Sequence, residues 1–308
     1  MTHTIMKNQF LLSFLAVGVL LAGCSKNEEG SLPVNNDPTP IVLGTSVDAS
    51  TKAPVVNGTS VSAGIAGWEN TSSETYAAAP LWNTTIQTTA NATTAQTVTW
   101  TKQYYYNADE NTTTYMKAWY PAGTLSGTSV TFGNTDGSVD ALLAPVVSGT
   151  KNNKDGKVLA FAHQTAQINF KVKAGEGLDP TTKLRSIKIK SVQLPTGFDL
   201  TKTGAAAVTY ATAADLTVPG ITADAVTIAE AEASVGNPVM IKPISGNTFT
   251  IDVETNNATY TGKTVTVTGT NILAGTAYDV TLTFTQNKIE LTATVTAWEN
   301  ATGAAEIK

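Results

Sequence analysis

The chain has 308 residues, 42% of them hydrophobic and 14% charged, and a formal net charge of −5. That balance argues against nucleic acid as a partner, because phosphate binding needs clustered Lys and Arg. With 1 Cys and 2 His in the whole sequence, an internal disulfide is excluded and no Cys/His set is left for a structural metal.

The chain begins with a basic flank at Lys7 and an apolar run from Phe10 to Leu20, broken by Ser13 and Gly18. Leu21-Ala22-Gly23-Cys24 follows. This order describes a secretory signal, and the run is shorter than the roughly 20 residues a membrane-spanning helix needs. Leu-Ala-Gly-Cys resembles the bacterial lipobox, where the peptidase cuts before the cysteine and lipid is added to its sulfur and new amino group. Residues 1–23 are thus expected to be a lipoprotein signal peptide, with Cys24 as the lipid anchor in the outer membrane. Several acyl chains on one residue hold better than the marginal grip of one. Ser25-Lys26-Asn27-Glu28-Glu29 resembles the acidic export tag of surface lipoproteins. Residues 24–40, with Pro33, Pro38, Pro40 and Asn35-Asn36-Asp37, read as a flexible linker.

About 285 residues remain from Cys24 on, which suits two domains with real cores. Roughly one residue in six is Thr, a β-branched residue favoured in strands. Gly, Asn and Asp recur at short intervals, the profile of an all-β protein with many turns. A first strand is predicted from Ile41 to about Ala49, ended by Ser50-Thr51-Lys52-Ala53-Pro54. Residues 70–95 read as loop with short strand pieces. Thr97–Trp100 and Lys102–Tyr106 are predicted as a tight strand pair, Thr114–Tyr120 as a strand stopped by Pro121, and Ser129–Phe132 as a short strand. Thr150–Lys157 is the predicted hinge between an N-terminal domain, 41–157, and a C-terminal one, 158–308.

Beyond the hinge the alternation is clear. Ile168, Phe170 and Val172 alternate with polar residues. So do Ile187 and Ile189; Phe249, Ile251 and Val253; Val265 and Val267; and Tyr278, Val280, Leu282 and Phe284. Ile289, Leu291, Ala293, Val295 and Ala297 form the last such series. A period of two buries one face and wets the other, as in sandwiches of antiparallel sheets. Asp224–Ser234 is the one segment outside the signal predicted as helix.

Four blocks carry a resemblance to a known family. Met116-Lys117-Ala118-Trp119-Tyr120-Pro121 resembles the aromatic-Tyr-Pro strand end of Bacteroides fimbrillins. Asp140-Ala141-Leu142-Leu143, followed by Phe161-Ala162-His163 and on to Ile168, is similar to their D-L-L … F-x-H-x-x-x-x-I block. Ile272 to Tyr278 resembles their aliphatic-x-x-G-x-x-Tyr turn, and Val295-Thr296-Ala297-Trp298 their last strand. The blocks stand in the family order over most of the mature chain. The resemblance implies two tandem transthyretin-like β-sandwich domains and a pilus (fimbria) subunit or pilus-associated adhesin. It also implies surface display as a lipoprotein, then removal of the lipid and first strand by a trypsin-like protease that usually cuts after Arg. Here the chain departs from the pattern: its only Arg is Arg185, and Lys52, before Ala53, stands at the matching position. A trypsin-like enzyme cuts after Lys; an Arg-restricted one does not.

Loss of a strand leaves unpaired N–H and C=O groups beside an open apolar groove, which a donated strand can fill. A head-to-tail contact of this kind does not close on itself and yields a filament. Ile41, Val42, Leu43 and Val47 are the candidate leaving-strand residues, and burial of about five side chains is expected to contribute up to roughly 7–15 kcal/mol. Ile289, Leu291, Val295 and Trp298, in the segment that ends the chain, are the candidate donor residues. The expected partners are other subunits in a homo- or hetero-polymer, the outer membrane through the lipid, and a host or bacterial surface receptor.

No catalytic residue, metal or cofactor is expected. His163 is the only histidine of the mature chain and reads as a structural polar contact. Nothing like Gly-x-Ser-x-Gly marks a nucleophile, and no carboxylate pair stands out. Trp68, Trp82, Trp100, Tyr104, Tyr105, Tyr106 and Trp119 raise a second reading, a monomeric surface lipoprotein that binds glycan for uptake. Burial is the usual role of rings on alternating strands, so they are expected in cores.

Overall fold

The computed structural model describes residues 37–47, 55–71, 73–76, 78–91, 93–286 and 288–297. Its N-terminal half contains β1 (Gly44–Val47), β2 (Ser60–Asn70), β3 (Trp82–Thr89), β4 (Gln96–Thr97), β5 (Thr113–Tyr120), β6 (Thr124–Ser126), β7 (Ser129–Thr131), β8 (Leu142–Leu143), β9 (Val147–Gly149) and β10 (Val158–His163). The rest contains β11 (Ala166–Ala174), β12 (Lys183–Val192), β13 (Pro195–Asp199), β14 (Val208–Tyr210), β15 (Ala214–Thr217), β16 (Val226–Thr227) and β17 (Ala233–Ile241). It ends with β18 (Thr248–Thr255), β19 (Thr259–Thr266), β20 (Thr276–Phe284) and β21 (Ile289–Ala297). The protein is all-β; a 3₁₀ turn at Gly204–Ala207 is the one helical element among the described residues.

In the first half the strands lie in the order β3-β2-β5-β8-β10-β1-β4. The ends of this sheet meet at a bridge between Gln87 and Thr99, so it curls back on itself. Its inward side chains, among them Ile65, Ile86, Met116, Leu142 and Phe161, form one core. In the second half the sheets β17-β11-β20-β21 and β15-β12-β18-β19 enclose another core, built from the alternating residues of β11, β12, β18 and β20. A small sheet, β14-β13-β7-β6, joins the halves. Its core mixes Trp119 and Val130 with Phe198 and Leu200.

Several segments differ from the sequence-based expectation. Asp224–Ser234 is not helical: Val226 and Thr227 pair with Leu184 and Lys183, and Asp224 has a φ of 62°, outside the helical range. Residues 82–89 form one full strand, within the stretch expected to be loop with short strand pieces. Only Ile86 and Thr88 of its side chains are buried, so its apolar signal is faint. β2, with no predicted counterpart, is rich in small residues because it carries rings across its face. A Cβ on Gly64 would lie 2.4 Å from Trp119, and one on Gly67 2.2 Å from Trp82. Val158–His163, assigned by the sequence to the C-terminal half, pairs with β1 and β8, and its Leu159 and Phe161 belong to the first core.

Candidate functional site

The first strand is part of the wall of the curled sheet. Its side chains alternate: Ile41, Leu43 and Val47 are at most 1% exposed, while Val42 points outward at 58%. Thr45 shares the inward face and is fully buried. Its hydroxyl donates to the Gln96 carbonyl oxygen at 3.2 Å and is hydrogen-bonded to the Thr88 hydroxyl. This buried polar position escaped the sequence reading, since a Thr in a Thr-rich chain gives no signal of its own.

Both edges of the strand are occupied. On one side Gly44–Val47 runs parallel to Val158–Phe161, and the Gly44 N–H donates to the Lys157 carbonyl at 2.8 Å. On the other side Gly44 and Thr45 lie antiparallel to Thr97 and Gln96. There the Ile41 N–H donates to the Tyr104 carbonyl and the Val98 N–H to the Leu43 carbonyl, both at 2.9 Å. Three apolar side chains are buried here instead of about five, so their burial contributes about 5–9 kcal/mol as an upper bound. Neither β10 nor the 96–106 segment could be identified as a neighbour in advance, because both pairings are remote in sequence.

Residues 289–297 form the last described strand, at the edge of its sheet. β21 pairs along its whole length with β20, from Ile289 opposite Phe284 to Ala297 opposite Thr276. Among the described residues no strand pairs with its other side. Ile289 is 8% exposed, Leu291 and Ala293 are half-buried against the second core, and Val295 is exposed. Cys24, Lys52, Ala53 and Trp298 lie outside the described residues.

His163 meets Asp140 inside the protein. Its Nδ1 lies 3.0 and 2.8 Å from the two carboxylate oxygens, and both side chains are fully shielded. The Thr165 hydroxyl donates to the same carboxylate at 3.4 Å. This pair ties the end of β10 to the segment entering β8. Among the described residues no group of three or more His, Cys, Asp or Glu is placed to hold a metal.

The aromatic residues face one another. Trp82 stacks on Tyr104 with centroids 4.4 Å apart and planes at 21°, and Trp100 meets both at steep angles. Trp68 and Trp119 are buried, their indole N–H groups donating to the Ala78 and Ala122 carbonyls at 2.9 Å. Tyr106 is buried and Tyr105 is exposed.

Comparison with known proteins places these features in context. The model of a family described as fimbrillin-like matches residues 51–298. No curated protein matches the chain by sequence. Among solved structures, a candidate cell adhesion protein from Bacteroides uniformis is 16% identical, with a TM-score of 0.57, over 86% of this chain and 99% of that one. Another from Bacteroides ovatus is 17% identical, with a TM-score of 0.54, over 85% and 99%. At such identities the likeness is one of fold.

Proposed function

This chain belongs to the fimbrillin-like family, and on that premise we propose that it is a structural and adhesive subunit of cell-surface fimbriae, exported as a lipoprotein on Cys24 and assembled by strand exchange. A protease cuts after Lys52, the segment carrying the lipid and β1 leaves, and the C-terminal strand of another subunit takes the vacant place. The proposed partners are other pilus subunits, the outer membrane before cleavage, and a surface receptor. The bonds that join subunits are non-covalent, so assembly needs no catalytic residue.

One observation carries this reading: Ile41, Leu43, Thr45 and Val47 fill a slot with paired backbone on both sides. Its loss would bare two edges and an apolar floor together, a state that favours capture of a new strand over persistence as a monomer. The glycan-uptake reading lacks such support, since the rings of Trp82, Trp100 and Tyr104 cover one another.

N-terminal sequencing of the protein from sheared surface filaments tests the proposal. Ala53 as first residue is the expected result. Recovery only from the membrane fraction, lipidated and unassembled, would count against it.

A further inference from the structure

The side chains facing into the β1 slot run Ile41, Leu43, Thr45, Val47. One face of β21 runs Ile289, Leu291, Ala293, Val295. The two series have the same order and spacing, and they differ only at the third place, where both residues are small. We infer that the vacated slot is filled by β21 of a second copy of this chain, running in the direction of β1, with Ile289 in the place of Ile41, Leu291 of Leu43, Ala293 of Thr45 and Val295 of Val47. This rests on the strand-exchange reading and adds to it a partner, a direction and a register.

Volume decides the direction. In the direct register three side chains are replaced by themselves, and Thr45 loses only a hydroxyl and a methyl. A reversed strand puts Ala293 where Leu43 fills the core and Leu291 where Thr45 meets Thr88 and Gln96. The first leaves a cavity and the second overpacks a polar niche. A slip of one residue turns Glu290, Thr292 and Thr294 into the core. None of β11, β18 and β20 repeats the order Ile, Leu, small, Val on a face.

The backbone also fits. None of residues 289–295 is Pro, so Ile289, Thr292 and Val295 can donate where Ile41, Gly44 and Val47 donate to Tyr104, Lys157 and Asn91. Thr292 falls at Gly44, where a Cβ would stand 3.4 Å from Ala95 Cβ and from Val158 Cγ2, ordinary contact distance. Among the described residues β21 is paired on one side in its own sheet; in the slot it is paired on both.

Position 293 then sets specificity. Ala293 leaves the Thr88 hydroxyl without the partner it has in Thr45, so Ala293→Thr should bind at least as well as the natural strand.

Thiol cross-linking between two variants of the full chain tests register. Limited tryptic cleavage at Lys52 removes Cys24, leaving only introduced thiols. In the inferred register Thr294 takes the place of Ser46, whose partner is the exposed Ala160; a reversed strand brings Glu290 there. A short thiol-reactive linker is expected to join Ala160→Cys copies to Thr294→Cys copies after cleavage, and not to Glu290→Cys copies. Unchanged melting before cleavage controls for folding.

A peptide of residues 288–297 is expected to compete with ladder formation. Leu291→Ala in the peptide should weaken it about thirty-fold or more, while Ala293→Thr should not weaken it. Ladders with the Glu290→Cys link, with neither link, or with equal competition by the Leu291→Ala peptide would overturn the inferred register and leave strand exchange standing. Absence of ladders after complete cleavage would overturn strand exchange itself.

Discussion

Lys117 Nζ lies 3.5 Å from the centre of the Tyr76 ring, at the join between the two halves of the protein. It donates to the Leu200 carbonyl at 2.6 Å and the Lys202 carbonyl at 3.1 Å, so a side chain of β5 holds backbone of the C-terminal half. Burial pushes its pKa down to about 8, against a smaller upward pull from Glu74 and Asp199. The unfolded chain thus binds more protons than the native protein between about pH 8 and 10, and stability rises with pH across that window. The neutral amine keeps enough N–H groups for both carbonyls. Above it, Tyr210, raised to about 12 by burial, and the raised Tyr106 and Tyr120 oppose the trend. The unfolding midpoint in urea should therefore rise from pH 7.5 to 9.5 relative to a Lys117→Met variant. Parallel pH profiles of the two proteins would refute this.

Leu43→Ala in the uncleaved chain should cost about 2–5 kcal/mol, the usual penalty for a truncated core leucine. Val42→Ala, one residue away on the exposed face, should stay within about 0.5 kcal/mol of wild type. Denaturant titration of both variants measures the contrast. Equal effects would mean that β1 does not seal the first core.

Gly64→Ala should destabilise by about 1–3 kcal/mol or more, because the added methyl meets the Trp119 indole at 2.4 Å and the packed ring has little room to yield. Gly127→Ala is not the matching control, since its φ of 59° brings strain of its own. Gly133→Ala serves better: its Cβ would meet nothing within 4 Å and its φ is not positive. Thermal melts of the two variants read the difference.

His163→Ala should cost about 3–5 kcal/mol, since it strands the buried Asp140 carboxylate. Restoring Asp140→Asn beside it should recover part of the loss, as the neutral amide carries a smaller desolvation penalty. A double-mutant cycle by urea unfolding gives the coupling, and additive effects would argue against a working pair.

Lys52→Gln should leave the N-terminal segment attached and abolish ladders, whereas Lys52→Arg should retain both cleavage and assembly. Electrophoresis of surface preparations without boiling separates the outcomes. Ladders from the Gln variant would place the processing site elsewhere.

Several elements were legible in the sequence because their chemistry is local. The alternation of Phe249, Ile251 and Val253, or of Tyr278 to Phe284, states a half-buried strand whatever it pairs with. β3 and β2 were not legible for the opposite reason. Thr84, Thr85 and Thr89 look alike whether in loop or edge strand, and the small residues of β2 gain meaning only beside the indoles they accommodate. The predicted helix at Asp224–Ser234 yielded to a pairing with Leu184, some forty residues away.

By itself the sequence determined that the mature chain is mostly β, which face of most strands is buried, and that it resembles the fimbrillins, because period, turn residues and short motifs are written along one dimension. The tertiary structure alone decided that Gly44–Val47 runs parallel to β10 with both edges filled, that Thr45 has a polar niche, and that among the described residues β21 is paired on one side only. The facts about β1 depend on contacts between residues about 40 to 115 positions apart, where loop closure is repaid only by the assembled core.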